Sequence, residues 1–341
     1  MTRDIIVNGR FLSRRVTGVE RYGREIISLF QVNYWLDLTR ANGVAGHAWE
    51  QFILPAKLWT QTQKRTTAFK NDSILWSPAN TGPLMVRNQA LTIHDLSPLE
   101  HPEWFRKSFA MWYRLFLPIL AKRVRIVFTP SDYVKQKVTK RFGIKNVTIT
   151  PNGVNISIFQ PDAQQNSFEL PEKYILFVGS LQPRKNLESL MQAWHKIRNE
   201  FSDTWLVVAG ETGYVFRSVK FIADERVRFL GYVSDDDLPG LYASAKLFVL
   251  PSLDEGSGLC ALEAMACGTP VIISNGGALP EVVGDAGLIF DLSKPDTLLT
   301  AIKQCLNDND LCMSLKEKGL ARAKLFSWQQ TAELIWSKLN E

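Results

Sequence analysis

The feature that most constrains this chain is a regular succession of short, almost unbroken apolar runs, each followed by a segment of helical periodicity. A strand that is apolar at every position, rather than every second one, must be covered on both faces. The connections long enough to cover it are helices. In the first half the runs are DIIVNG (4–9), SILW (73–76), ALTIHD (90–95), RIVFTP (125–130) and NVTITP (146–151). In the second they are YILFVG (174–179), WLVVAG (205–210), VRFLG (227–231), KLFVLP (246–251), PVIIS (270–274) and GLIFD (287–291). The pattern predicts an α/β protein with parallel sheets. Residues 152–173 are polar and aperiodic and precede a new buried run, so they read as a linker between two doubly wound, Rossmann-like domains. The expected division is 1–165 and 166–325, with a closing helix, 326–341, that crosses back onto the first domain. Thr17 to Glu20 and Ser234 to Asp237 have the form of capping boxes, and Ser131 suits the N-cap of a helix that ends at Gly143.

Charge divides the chain the same way. The net charge is +6, yet residues 1–170 hold 23 Lys+Arg against 12 Asp+Glu, a formal +11, and residues 171–341 hold 17 against 22, a formal −5. The first half is expected to meet an extended anionic partner. No nucleic-acid-binding module accompanies the charge, which argues against nucleic acid and toward an anionic membrane surface or a phosphorylated carrier. From Glu103 to Arg125 six cations face the single acid Glu103, and Phe105, Phe109, Trp112 and Phe116 fall on one helical face. Such a helix can lie on an anionic leaflet, or its aromatic stripe can pack on its own sheet. Both readings stand at this point.

Several classes are excluded. Cys260, Cys267, Cys305 and Cys312 show neither CxxC spacing nor a histidine-rich neighbourhood, so neither a zinc site nor a disulfide framework is expected. The N-terminus has only a three-residue apolar run, which predicts no signal peptide. The longest uncharged stretch, Ala264 to Pro280, is broken by glycines and prolines and cannot span a membrane. A cytoplasmic protein, peripheral on the inner face of the plasma membrane or free of it, is expected. GxGxxG and GxxxxGK[ST] are absent, which excludes the usual dinucleotide and P-loop signatures. Asp235-Asp236-Asp237 reads as an acidic helix start rather than a metal-binding motif, and no metal or other cofactor is expected.

The segment richest in chemistry runs from Pro251 to Pro270, PSLDEGSGLCALEAMACGTP. A buried strand ends, a glycine-bearing loop follows, and a helix begins near Gly258, where free amides and the positive dipole end suit a phosphate. Glu255 lies in that loop and Glu263 about a turn and a half into the helix, where a carboxylate can accept hydrogen bonds from sugar hydroxyls. Arg184 and Lys185, after the first strand of the second half, are placed to neutralise a departing diphosphate. His94 and Asp95 end a buried strand of the first half, the imidazole as a cleft-facing group and Asp95 as its local partner. Gly18, among Arg14, Arg15 and Arg21, opens a helix that can close over donor phosphates, grip an acceptor phosphate, or simply be capped.

EGSGLCALEAMACGTPVI, followed by GGALPEVVGDAGLIF, resembles the donor-binding region of family 4 retaining glycosyltransferases, in which two glutamates are separated by seven residues, the spacing of Glu255 and Glu263. VGSLQPRKN, FLGYVSDDDLPGLYASAKLFVLPS, TIHDLSPLEHPEWF and TPSDYVKQKV extend the resemblance over most of the chain. The resemblance implies the GT-B fold, two Rossmann-like domains facing a cleft, and a hexosyltransferase that uses a nucleotide-sugar donor. It implies that Glu263 holds the ribose and Glu255 the donor sugar, and that Arg184, Lys185 and the loop of Gly256, Ser257, Gly258 and Leu259 hold the diphosphate. His94 would act at the reacting centre and Gly18 beside the donor. Ser180 stands where many members carry an arginine, which moves that charge to Arg184. HDLSPLEHPEWF and GVERYGREI are most similar to mannosyltransferases and related bacterial enzymes that build surface polysaccharide such as O-antigen or capsule, with GDP-mannose as donor and a lipid-diphosphate-linked glycan as acceptor. A transferase with a soluble acceptor and a catalytically silent nucleotide-sugar-binding subunit are the alternatives.

Overall fold

The computed structural model describes residues 3–30, 34–37, 43–63, 73–164, 167–212 and 224–341. It divides into two compact units. One comprises Met1–Glu100, Lys107–Asn152 and Trp328–Glu341, the other His101–Arg106 and Gly153–Ser327. The main segment of the second unit therefore begins at Gly153 rather than near 166. The Val154 N–H donates to the Phe326 carbonyl (3.0 Å), and Phe159 packs on Tyr242, which draws most of the polar segment into that unit.

Among the described residues the first unit has six parallel strands, β1 (Ile5–Asn8), β2 (Tyr34–Asp37), β3 (Ile74–Ser77), β4 (Gln89–Thr92), β5 (Ile126–Thr129) and β6 (Val147–Ile149). Their order is β2-β1-β3-β4-β5-β6. β2 is absent from the expected strands. It sits at the sheet edge, where a short strand is held by its pairing to β1 rather than by a long apolar run. The closing helix, Trp328–Asn340, belongs to this unit: Trp328 packs edge-on against Tyr22, Trp336 against Phe30, and the Thr331 hydroxyl donates to the Pro151 carbonyl at 2.7 Å.

The second unit has β7 (Lys173–Val178), β8 (Thr204–Ala209), β9 (Val227–Gly231), β10 (Leu247–Leu250), β11 (Val271–Ser274) and β12 (Gly287–Phe290), all parallel, in the order β12-β11-β10-β7-β8-β9. Successive residues feed opposite faces. Tyr174, Leu176, Val207, Phe248 and Leu250 enter one core cluster, while Ile175, Phe177, Leu206, Leu247 and Val249 enter the other. Both faces are covered, which is why the runs are apolar throughout.

Helix ends follow local chemistry. Ser131 accepts from the Val134 N–H at 3.2 Å, and Gly143 closes that helix in the left-handed conformation. Ser234 accepts from the Asp237 N–H and donates to its carboxylate. At Thr17 the reciprocal box does not form, because its hydroxyl donates to the Glu20 carboxylate instead of capping a backbone amide. The chain order reverses direction between β1 and β3 in the first sheet and between β7 and β10 in the second. Crevices open at the strand C-termini beside such reversals.

Candidate functional site

At the second reversal the loops after β7 and β10 are tied together. The chain leaves β7 through Gly179 and Ser180 and makes a single 3-10 turn at Pro183–Lys185, closed by Asn186 in the left-handed conformation. The Asn186 amide donates to the Pro251 carbonyl at 3.0 Å, and the Leu253 N–H donates to the Arg184 carbonyl at 2.8 Å. These bonds hold the two basic residues against the loop that carries Glu255.

Glu255 is 6% exposed, and its carboxylate is fully engaged. Lys185 Nζ donates to one oxygen at 2.5 Å and Arg184 Nη1 to the other at 3.1 Å, while Ser252 Oγ donates to the first at 2.8 Å. Arg184 Nη1 also reaches the Asp254 carbonyl at 2.9 Å. Burial pushes the Glu255 carboxyl up, but Arg184 and Lys185, with hydrogen bonds from Lys185 and Ser252, overcome this and hold it at about 2. The glutamate and the basic pair, separate in the chain, thus form one ionised cluster.

The loop then turns through Gly256, Ser257 and Gly258. Gly258 is the N-cap of the helix Leu259–Ala266 and has φ +60°. Gly277 backs the loop: its φ is +66°, and a Cβ there would stand 2.3 Å from both the nitrogen and the carbonyl oxygen of Glu255. Glu263 lies on the same helix but is only 2% exposed, and its Oε2 accepts from Tyr242 Oη at 3.0 Å. Burial, then Cys260 and Glu263, raise the Tyr242 phenol well above its ordinary value. Burial also pushes the Cys260 thiol up to about 11, with Glu263 and Glu255 adding to the rise and Lys185 opposing it. At neutral pH Cys260 is a thiol, not a nucleophile. Ser180 accepts from the Gln182 side-chain amide at 2.6 Å, so it organises its own loop.

Residues 159–322 match the family described as "Glycosyl transferases group 1", and residues 74–158 match "Glycosyltransferase Family 4". The chain is 34% identical over 272 residues to O-antigen chain mannosyltransferase B of Escherichia coli, covering 76% of this chain and 71% of that protein. It is 32% identical over 243 residues to O-antigen chain mannosyltransferase RfbU of Salmonella typhimurium, covering 69% of this chain and 65% of the relative. The chain is a family 4 glycosyltransferase. Its fold agrees: Anabaena HepE, solved in complex with UDP and glucose, superposes with a TM-score of 0.73 at 16% identity, covering 99% of each chain.

In this glycosyltransferase the other expected residues, His94 and Gly18, belong to the first unit. Gly18 is exposed at the first position of the helix Gly18–Ser28. His94 is 6% exposed, stands edge-on to Tyr22, and its Nε2 lies 2.7 Å from the Pro78 carbonyl. A carbonyl only accepts, so Nε2 carries the proton. Burial lowers the His94 pKa against the opposing effects of the Pro78 carbonyl, Asp95 and Glu20, so the ring is neutral and Nδ1 bears a lone pair. Asp95 acts on His94 through its charge, while its Oδ1 accepts from the Ser97 N–H at 3.0 Å.

The aromatic stripe after Glu103 resolves in favour of packing. The helix runs Lys107–Arg123, and Phe109 and Trp112 pack against the core formed by Leu91, Tyr113, Leu117 and Val127. A different stripe faces solvent. Met111, Leu115 and Ile119 are each at least half exposed, beside exposed Lys107, Arg114, Lys122 and Arg123. Among the described residues no helix is long and apolar enough to cross a membrane, and no cluster of three or more His, Cys, Asp or Glu is arranged to hold a metal ion.

Sequence reasoning did not find Ser252 and Asn186, whose hydrogen bonds hold Glu255 and the loop of the basic pair, or Tyr242, which holds Glu263. Nor did it find the buried Arg10–Glu50 ion pair of the first unit. The one sequence signal that could have found Arg10 is its place just after β1, and nothing local marks Glu50.

Proposed function

We propose that this protein is a retaining hexosyltransferase that moves mannose from GDP-mannose to a lipid-diphosphate-linked glycan during assembly of a bacterial surface polysaccharide. The observation that carries the reading is the Arg184–Lys185–Glu255 cluster at the β7/β10 reversal, in a chain whose relatives are O-antigen mannosyltransferases. In the donor-free protein Glu255 satisfies both cations. A nucleoside diphosphate takes them over, with the amides of Gly256, Ser257, Gly258 and Leu259 completing the anion site. Glu255 is then released to accept donor-sugar hydroxyls. Glu263 accepts from the ribose: a carboxylate has roughly four acceptor positions and can hold Tyr242 and a ligand hydroxyl together.

The departing diphosphate gains negative charge as the glycosidic bond breaks, and Arg184 and Lys185 stabilise it where that charge develops. The reading assigns no metal. The acceptor hydroxyl attacks from the face the diphosphate leaves, so configuration is kept without a protein nucleophile. Neutral His94, in the first unit, keeps an Nδ1 lone pair for a hydroxyl of the acceptor. The solvent-facing stripe of Met111, Leu115 and Ile119, flanked by cations, suits an anionic leaflet carrying the lipid-linked acceptor. A panel of UDP-, GDP- and dTDP-sugars scored by thermal shift tests the donor. Stabilisation is expected with GDP-mannose and GDP. A stronger shift from UDP- or dTDP-sugars would overturn the donor assignment.

A further inference from the structure

One short segment holds both the backbone and the ring of His94. After Ser77 the chain leaves β3 through Pro78, Ala79 and Asn80, while the chain of β4 continues past Thr92 to Ile93 and His94. Asn80 carries the ladder on. Its N–H donates to the Thr92 carbonyl at 3.0 Å, and its side-chain Oδ1 accepts from the His94 N–H at 2.6 Å. A backbone N–H can only donate, so the amide oxygen is the atom that faces His94. It supplies the acceptor that a residue of a continuing parallel strand would offer through its own carbonyl. Two positions earlier, the Pro78 carbonyl accepts from the ring Nε2–H at 2.7 Å. Tyr22 stands edge-on to the ring at 4.9 Å and is anchored to Thr150 through its hydroxyl at 2.8 Å.

The bend at Asn80 is a strained one. Its φ is +62°, in the left-handed region that residues other than glycine seldom enter. Among the described residues one other non-glycine residue lies there, Asn186 with φ +52°, which closes the turn carrying Arg184 and Lys185. Each unit thus places a left-handed asparagine beside residues of the candidate site. Such positions persist where the surroundings over-determine them, and they cluster at functional sites. Glycine would make the same bend without strain, but it would leave the His94 N–H without its acceptor. What asparagine adds over glycine at this position is its hold on His94.

We propose that Asn80 is a positioning residue for sugar transfer: by bonding the His94 N–H it keeps the Pro78 carbonyl on Nε2, and so keeps the ring in the one neutral tautomer whose Nδ1 can accept from a hydroxyl. The inference rests on the reading of His94 as a group at the reacting centre. NMR of the full chain carrying isotope-labelled histidine reads the tautomer without any ligand, the His94 signals being those lost in His94→Gln. Release of GDP from GDP-mannose, with water in place of the acceptor hydroxyl, reads the rate. In the wild type at neutral pH the proton is expected on Nε2 alone. Asn80→Gly keeps the bend and loses the acceptor, so the two ring nitrogens share the proton. Its kcat falls about tenfold, as displacement of a reacting group by less than an ångström requires, while KM stays within about twofold. Asn80→Asp, which keeps an oxygen at the same place, restores the tautomer and most of kcat. GDP stabilises all of these variants as it does the wild type, which shows them folded. A His94 that stays on Nε2–H alone in Asn80→Gly, an unchanged kcat in that variant, or an Asn80→Asp no better than Asn80→Gly would each overturn the proposal. Wild-type kcat in His94→Gln would overturn the reading of His94 and the proposal with it. Absence of GDP release by the wild type would overturn the donor reading alone, and the tautomer in Asn80→Gly would then decide the role of Asn80.

Discussion

Replacing Glu255 by glutamine removes one charge and leaves the shape, and the structure states what that charge contributes. The carboxyl falls from an ordinary 4.5 to about 2 in the folded protein. A shift of that size corresponds to roughly 3 kcal/mol of stability at neutral pH. The pKa is depressed, so the contribution is complete above the unfolded value and disappears as pH falls through the folded one. It is full at pH 7, reduced by more than half near pH 3, and lost below 2. Glu255→Gln should therefore unfold earlier than the wild type at pH 7, by roughly 6–12 °C if the second unit melts as one cooperative domain. The gap should narrow toward pH 3. The same substitution relieves Arg184 and Lys185 of their competitor, so GDP should raise the melting temperature of the variant by more than that of the wild type, even as sugar transfer falls. Scanning calorimetry at pH 7 and pH 3, with and without GDP, reads all three effects. A variant that melts with the wild type at pH 7, or a deficit of the same size at pH 3, would refute the ion-pair argument. A smaller GDP shift in the variant would refute the competition between Glu255 and the diphosphate.

Other consequences follow from single contacts. Gly277→Ala forces a Cβ to 2.3 Å from the Glu255 backbone at a left-handed φ, so thermal stability and GDP binding should fall together; wild-type behaviour in both would show that the loop is not held as described. Tyr242→Phe removes the hydroxyl that Glu263 accepts from, and urea titration should report a loss of about 1–3 kcal/mol, with weaker GDP binding. For the exposed stripe, flotation with phosphatidylglycerol vesicles should carry the wild type upward. A Lys107→Glu/Lys122→Glu double variant should bind at least about tenfold more weakly, each cation contributing about 1 kcal/mol. A wild type that stays with the soluble fraction at physiological salt would remove the membrane from the proposal.

Much of the fold was legible because burial on both faces leaves a one-dimensional trace. Runs such as ILFV after Tyr174 and LFVL after Lys246 have few other places to go than the middle of a covered parallel sheet. The edge strand Tyr34–Asp37 left no such trace, since pairing on one side suffices to hold it. The aromatic residues from Phe109 to Phe116 showed a helical face but not its direction. Core packing claimed Phe109 and Trp112, and the neighbouring stripe of Met111, Leu115 and Ile119 was left in solvent. The candidate site was partly readable in the same way. Glu255 and the basic pair stand in loops after strands, where a reader of α/β patterns looks, but 70 residues separate Lys185 from Glu255.

The sequence by itself determined the class of fold, the alternation of most of its strands with helices, and the residue types available at those strand ends, because those depend on periodicity and local chemistry. Only the tertiary structure decided which of those residues meet. It made Glu255 the anionic partner of Arg184 and Lys185, enclosed Glu263 with Tyr242, and brought Glu50 from a π-helical turn onto Arg10. Strand order did this by placing β10 beside β7 and β3 beside β1, a choice made by the packing of whole sheets and written in no single segment.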